Sequence, residues 1–186
     1  MVILTFLLLA YFGLSALYIL VFSLAGIMIR YRSKVGNHDL KAKIAVFVPA
    51  YKEDGIMASV VDKLLKVDYP TDRYDIILIA DSFQEKTLIK LRKKPIELVE
   101  VAWEKRTKAK SLNHAMVLYQ GKYDLAVISD ADNILATDFL QKINAAYRQG
   151  NQVIQGKRVA KNKNTAFAVL DAASEAINNH LFRKGA

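Results

Sequence analysis

The sequence has no cysteine. That absence removes a disulfide framework, a thiolate zinc site and a cysteine nucleophile, and leaves compartment open, because oxidising and reducing environments both tolerate it. Its three histidines, His38, His114 and His180, are scattered over linker and helices without metal-ligand spacing, so surface or packing roles are expected for them. Ser82 and Ser129 have no His and Asp constellation around them, so a hydrolase triad is not expected. Internal repeats and low-complexity tracts are lacking too. Most telling, no side chain charged at neutral pH occurs before Arg30.

What is present divides the 186 residues in two. With 53% hydrophobic and 24% charged residues, the chain is too apolar for disorder and too charged to lie wholly within a membrane. In residues 1–29, 24 positions are apolar; the remainder is about 48% apolar, the usual share for one soluble domain. The formal charge of +9 lies entirely after that run, so the soluble part favours anions such as nucleotide phosphates or lipid head groups.

A helix needs about 20 apolar residues to cross the hydrocarbon core, and residues 1–29 exceed that. A cleaved signal peptide would begin with basic residues and carry a shorter apolar stretch, so an uncleaved single-pass anchor is expected. Arg30, Arg32, Lys34, Lys41 and Lys43 follow the run while no charge precedes it. The positive-inside bias then places the following domain in the cytoplasm, at the cell (inner) membrane, with the basic collar against anionic lipid. The expected organisation is an anchor over 1–29, a basic linker over 30–42 and an α/β domain over 43–186.

Past the linker, β-branched runs alternate with helical-period segments, which predicts βαβ units around a mostly parallel sheet flanked by helices. Strands are expected at 44–48, 75–80, 97–102, 124–129 and 152–155, with helices at 56–67, 85–93, 111–119 and 138–148. A last helix over 165–182 sets Phe167, Leu170, Ser174, Ile177 and Leu181 on one mostly apolar face. Gly121 and Gly150 fall where left-handed helix caps are wanted.

In an open α/β sheet, ligands bind beyond the carboxyl ends of the strands. Four such places carry polar residues: Pro49-Ala50-Tyr51-Lys52-Glu53-Asp54, Asp81-Ser82, the stretch from Arg106 to Asn113, and Asp130-Ala131-Asp132-Asn133. Two acids separated by one residue share a face on an extended strand and suit Mg²⁺ or Mn²⁺; the bland alternative is that Asp132 or Asn133 starts a turn. Lys105, Arg106, Lys108 and Lys110 read either as a solvated basic loop or as a diphosphate site. Trp103 follows a strand and reads as a packing residue or a sugar contact. The basic stretches 86–94 and 157–163 interleave no aromatic residues, so nucleic acid is not an expected partner.

The order of these motifs resembles the nucleotide-sugar half of the family 2 glycosyltransferases, which have the GT-A fold. They run strand-Pro49-Ala50-Tyr51-Lys52-Glu53, strand-Ala80-Asp81-Ser82, Lys108 with Leu112-Asn113, then strand-Ser129-Asp130-Ala131-Asp132. The likeness is nearest to membrane-bound processive synthases of the cellulose, chitin, hyaluronan and poly-N-acetylglucosamine kind. It implies a UDP-sugar donor bound with Mg²⁺ or Mn²⁺ and inverting transfer to a polysaccharide or other acceptor. By the same resemblance Pro49, Ala50, Tyr51 and Glu53 lie against the nucleoside and Asp81 reads the uracil base. Lys108 faces the diphosphate, Asn113 closes its motif, Asp130 lies near the ribose and donor sugar, and Asp132, with Asp130, holds the metal. The chain departs from the family in having Ala80 before Asp81 and Thr107 before Lys108. It also lacks the family's later acidic motif, which carries the general base, and Gln-x-x-Arg-Trp. A truncated or split enzyme is therefore expected, with the acceptor half on a second chain or downstream segment. The competing expectation is a catalytically incomplete, anchored nucleotide-binding or interaction module.

Overall fold

The structure, a computed structural model, describes residues 2–28, 40–104, 107–160 and 164–181. The collar residues Arg30, Arg32 and Lys34, the cations Lys105 and Arg106, and Phe182 lie outside that set. The chain forms two compact units, one from Met1–Lys34 with Val153–Ala186, the other from Val35–Gln152.

In the first unit, the apolar run forms one helix, α1 (Val2–Met28). Its stretch Val2–Ala25 is long and apolar enough to cross a bilayer, and none of it is buried. Leucine, isoleucine and phenylalanine are spread along its whole length, so it has no polar face. The other helix of this unit is the last of the chain (Ala166–Leu181), where His180 Nε2 lies 3.1 Å from the Ser23 carbonyl oxygen. Phe167, Leu170 and Ile177, expected to form its apolar face, are all exposed.

The second unit is built on a four-stranded sheet. Its strands are β1 (Ile44–Tyr51), β2 (Tyr74–Asp81), β3 (Glu97–Val101) and β4 (Leu125–Ile128), in the order β3-β2-β1-β4. All neighbours are parallel. β1 and β2 are the interior strands, and their near-continuous apolar runs reflect burial on both faces, as parallel sheets require. Ala45, Phe47, Ile77, Ile79 and Val99 join Ala115 in one buried cluster; the alternate residues Ile44, Val46, Val48, Ile76 and Leu78 are equally buried.

The intervening helices are α2 (Met57–Leu64), α3 (Glu85–Leu91), α4 (Lys108–Leu118) and α5 (Phe139–Arg148); the C-terminal helix of the first unit is α6. Gly121 and Gly150 have φ of 75° and 90° just beyond α4 and α5, the left-handed backbone that glycine adopts without penalty.

Proline inside a central strand is unusual because it removes a ladder donor. Phe47 and Pro49 face the same flank of β1, since alternate residues do. Phe47 O accepts from Ser129 N at 3.0 Å, and β4 then stops pairing. Pro49 therefore sits where that flank has no strand left to receive a donor, and the same shortfall leaves space beyond the tip of β1.

Three expectations change. Residues 152–155 form no strand: the chain bends there just after Gly150, and Val153 is 92% exposed, so β4 remains the sheet's edge among the described residues. α4 begins at Lys108 rather than Ser111 because Thr107 caps it, with Oγ1 accepting from Lys110 N at 3.1 Å. And Asp130 to Asn133 is a turn, Asn133 N donating to Asp130 O at 3.1 Å, not an extended strand end; β4 stops at Ile128 because Asp and Asn compete for local hydrogen bonds.

Candidate functional site

The tips of β1 and β2 and the first turn of α4 enclose a cavity of about 400 Å³, lined by Pro49, Ala50, Tyr51, Ile79, Asp81, Thr107, Lys108 and Ser111. Its volume suits a small organic ligand. Pairing of Tyr51 with Asp81 sets the two end residues side by side. Immediately after each, the chain takes a left-handed turn at a residue other than glycine: Lys52 has φ 53° and Ser82 φ 58°. Such conformations cost energy and collect at binding sites, where surrounding hydrogen bonds enforce them. Here Lys52 N donates to Asp81 O and Ser82 N to Val101 O, both at 3.1 Å.

Asp81 is 5% exposed, and Ser82 Oγ donates to its Oδ1 at 2.8 Å. A buried carboxylate at a cavity wall is a strong, directional acceptor. The same cavity is also lined by a cation, Lys108. Lys108 and Ser111 stand three residues apart in the opening turn of α4, on one face, where unpaired backbone N–H groups and the helix dipole favour an anion. Lys108 Nζ pairs with Asp130 Oδ1, and Asn133 Nδ2 reaches Asp130 Oδ2 at 3.5 Å.

The loop that follows Tyr51 is tied to the loop bearing Ser82. Asp54 Oδ1 accepts from Gln84 N at 3.0 Å, and the Thr87 side chain, followed by backbone N–H groups, holds the Asp54 carboxyl below its ordinary pKa despite a smaller opposing effect of burial. On the far side of α4, Lys110 Nζ lies 4.1 Å from the Trp103 ring centroid and His114 meets that ring edge-on at 5.5 Å. Trp103 Nε1 is buried without a partner. The tryptophan packs on α4 and is not part of the cavity wall.

Of the residues singled out in sequence, Pro49, Ala50, Tyr51, Asp81 and Lys108 meet in one cavity, and Asp130 joins them through Lys108. Glu53, Asn113 and Asp132 are exposed and outside its lining. Asn113 follows Lys108 by five positions and so projects from a different side of α4. Ile79, Thr107 and Ser111 are wall residues that sequence reasoning passed over. Starting α4 at its threonine cap would have placed Ser111 beside Lys108.

Among the described residues, no group of three or more His, Cys, Asp or Glu is placed to hold a metal ion. The protein's own share is at most the two carboxylates Asp130 and Asp132. That donor set fits Mg²⁺ or Mn²⁺, which commonly takes one or two carboxylates and completes its shell with phosphate oxygens and water.

A parallel sheet with a cavity at its strand tips, lined by an acid and a lysine, fits a GT-A glycosyltransferase. The family model described as glycosyltransferase-like family 2 matches residues 42–184, and the chain belongs to that family. The fold superposes on the mannosyltransferase PcManGT from Pyrobaculum calidifontis in complex with GDP-Man and Mn²⁺ with a TM-score of 0.61, at 24% identity, over 78% of this chain and 43% of that one. S. aureus TarS residues 1–349 in complex with UDP gives a TM-score of 0.49 at 20% identity, over 64% of this chain and 40% of that one. The beta-monoglucosyldiacylglycerol synthase of Synechocystis sp. is 27% identical over 107 residues, 54% of this chain and 22% of the synthase. The chain thus spans less than half the length of each of these proteins.

Proposed function

We propose that the chain is the donor-binding part of a membrane-anchored inverting glycosyltransferase that takes a UDP-sugar with a divalent ion and passes the sugar to a polysaccharide or other acceptor hydroxyl. The observation that carries this reading is that Asp81 and Lys108 line one cavity.

Each wall has a chemical counterpart in the ligand. The Asp81 carboxylate accepts the imide N–H of uracil, with Ser82 holding its orientation. Pro49, Ala50 and Tyr51 supply the surface against the nucleoside. Lys108 and the first turn of α4 neutralise the diphosphate, whose charge grows as the bond to the sugar breaks. A divalent ion held by Asp130 and Asp132 would stabilise the departing nucleoside diphosphate. An acceptor oxygen, relieved of its proton by a carboxylate, attacks the anomeric carbon from the opposite face. α1 would keep this reaction at the cytoplasmic face of the membrane.

Two measurements test the reading. Calorimetry with UDP and Mn²⁺ is expected to show binding by the wild type and weaker binding by Asp132→Ala; equal binding by both removes the metal role from Asp132. Incubation of membranes with labelled UDP-glucose or UDP-N-acetylglucosamine separates an enzyme from a second reading, a nucleotide-binding module without turnover. That module reading is favoured by one observation: among the described residues, Asp81 is the single carboxylate of the cavity lining.

A further inference from the structure

Lys108 and Asp130 lie 22 residues apart in the chain, yet Lys108 Nζ rests on Asp130 Oδ1. The first is the diphosphate's cation and the second the metal's carboxylate in the reading above, on which this inference rests. We propose that the pair is a latch: Lys108 occupies the carboxylate that a divalent ion needs, and leaves it only for the stronger anion of a diphosphate, so that nucleotide and metal each prepare the site for the other.

The chemistry at Asp130 is one-sided. Both of its oxygens face donors, the Lys108 ammonium on Oδ1 and the Asn133 amide at 3.5 Å on Oδ2. A divalent ion added to that carboxylate would stand within a few ångströms of an ammonium, and two such cations repel strongly. Lys108 has somewhere to go. Its side chain is 52% exposed, its stem is flexible, and it rises from the first turn of α4 at the cavity wall, so turning toward a bound diphosphate requires no repacking. A diphosphate outbids one carboxylate because it carries more charge and receives help from the helix N-terminus. Coupling of this kind is reciprocal: the factor by which UDP strengthens metal binding is the factor by which the metal strengthens UDP binding.

The size of the effect follows from exposure. Asp130 is 41% exposed at its side chain, and pairs so open to water shift an equilibrium by about two- to fivefold.

The test uses the full chain in detergent, with free Mn²⁺ counted by electron paramagnetic resonance and UDP binding followed by calorimetry. Lys108→Met is expected to bind Mn²⁺ alone about two- to fivefold more tightly than the wild type. Asp130→Asn is expected to bind UDP more tightly by a similar factor in the presence of a chelator. Lys110→Met removes a neighbouring charge from the same helix, one that stacks on Trp103 and does not touch Asp130, and is expected to leave Mn²⁺ affinity unchanged. The latch is overturned if Lys108→Met fails to strengthen Mn²⁺ binding, if Lys110→Met strengthens it equally, or if Asp130→Asn leaves metal-free UDP affinity where it was. Failure of the wild type to bind UDP with Mn²⁺ present would instead end the nucleotide reading itself.

Discussion

The backbone amide of Lys52 donates to the carbonyl of Asp81 at 3.1 Å, which carries the β1–β2 ladder one residue past the end of β1 and into a left-handed turn. A lysine at φ 53° is held there by its neighbours and not by its own preference. Lys52→Gly relieves the backbone, whereas Lys52→Val sets a β-branched side chain into a region that excludes it. Thermal melts are expected to show Lys52→Gly at or above the wild type and Lys52→Val lower by about 1–3 kcal/mol. Equal melting of the two variants would show that the turn imposes nothing.

Among the described residues, Asp81 is the one buried acid of the cavity. Asp81→Asn keeps its shape and its bond from Ser82 but removes the charge and one acceptor. UDP affinity is expected to fall about tenfold or more, because the uracil imide then meets an amide that can turn its donor toward it. Calorimetry at fixed Mn²⁺ measures this; unchanged affinity would move the base elsewhere.

Asn144 is 1% exposed and grips the chain just before β1. Its Oδ1 accepts from Ala42 N at 3.0 Å and its Nδ2 donates to Leu40 O at 3.3 Å. Asn144→Ala leaves both backbone groups without that partner, at a cost of about 1–3 kcal/mol. Denaturant unfolding is the check, and a midpoint equal to the wild type would contradict it.

At the opposite end of the sheet from the cavity, Tyr123 Oη donates to Asp75 Oδ2 at 2.8 Å and Tyr119 Oη to Glu97 Oε2 at 3.1 Å. Burial, then these carboxylate partners, push the Tyr119 phenol up to about 12 and the Tyr123 phenol higher still. A phenol whose pKa is raised on folding keeps its proton after the unfolded chain has lost its own. The stabilisation is complete below pH about 10 and drains away as pH rises through the folded values. Unfolding is therefore expected to steepen above pH 10, and Tyr123→Phe with Tyr119→Phe to flatten that limb in a pH series of melts.

Much of this was legible in the residues. Apolar runs buried on both sides announced the four strands, the charge-free opening announced α1, and both helix-capping glycines took their expected backbone. The strand-tip motifs located the cavity, because ligands gather beyond the carboxyl ends of parallel strands. The misreadings have local causes. Four cations in six residues mask a threonine cap, so the residue pattern points to a start at Ser111, three residues after the observed one, and does not mark Ser111 as a wall residue. Valine and isoleucine at Val153 and Ile154 suggest a strand, but a strand needs a partner and the segment pairs with none among the described residues. The apolar spacing of Phe167, Leu170 and Ile177 identified a helix face correctly, yet spacing says nothing of what would cover it.

The two flanks of the cavity differ in how firmly they are built. Tyr51 and Asp81 end eight-residue interior strands that pair with each other along their whole length, so that surface needs little ordering when a ligand arrives. Asp130 follows a four-residue margin strand, whose amides would exchange with solvent sooner. Entry should accordingly be a docking of the base onto a rigid bench, followed by settling of the charged end against a yielding rim.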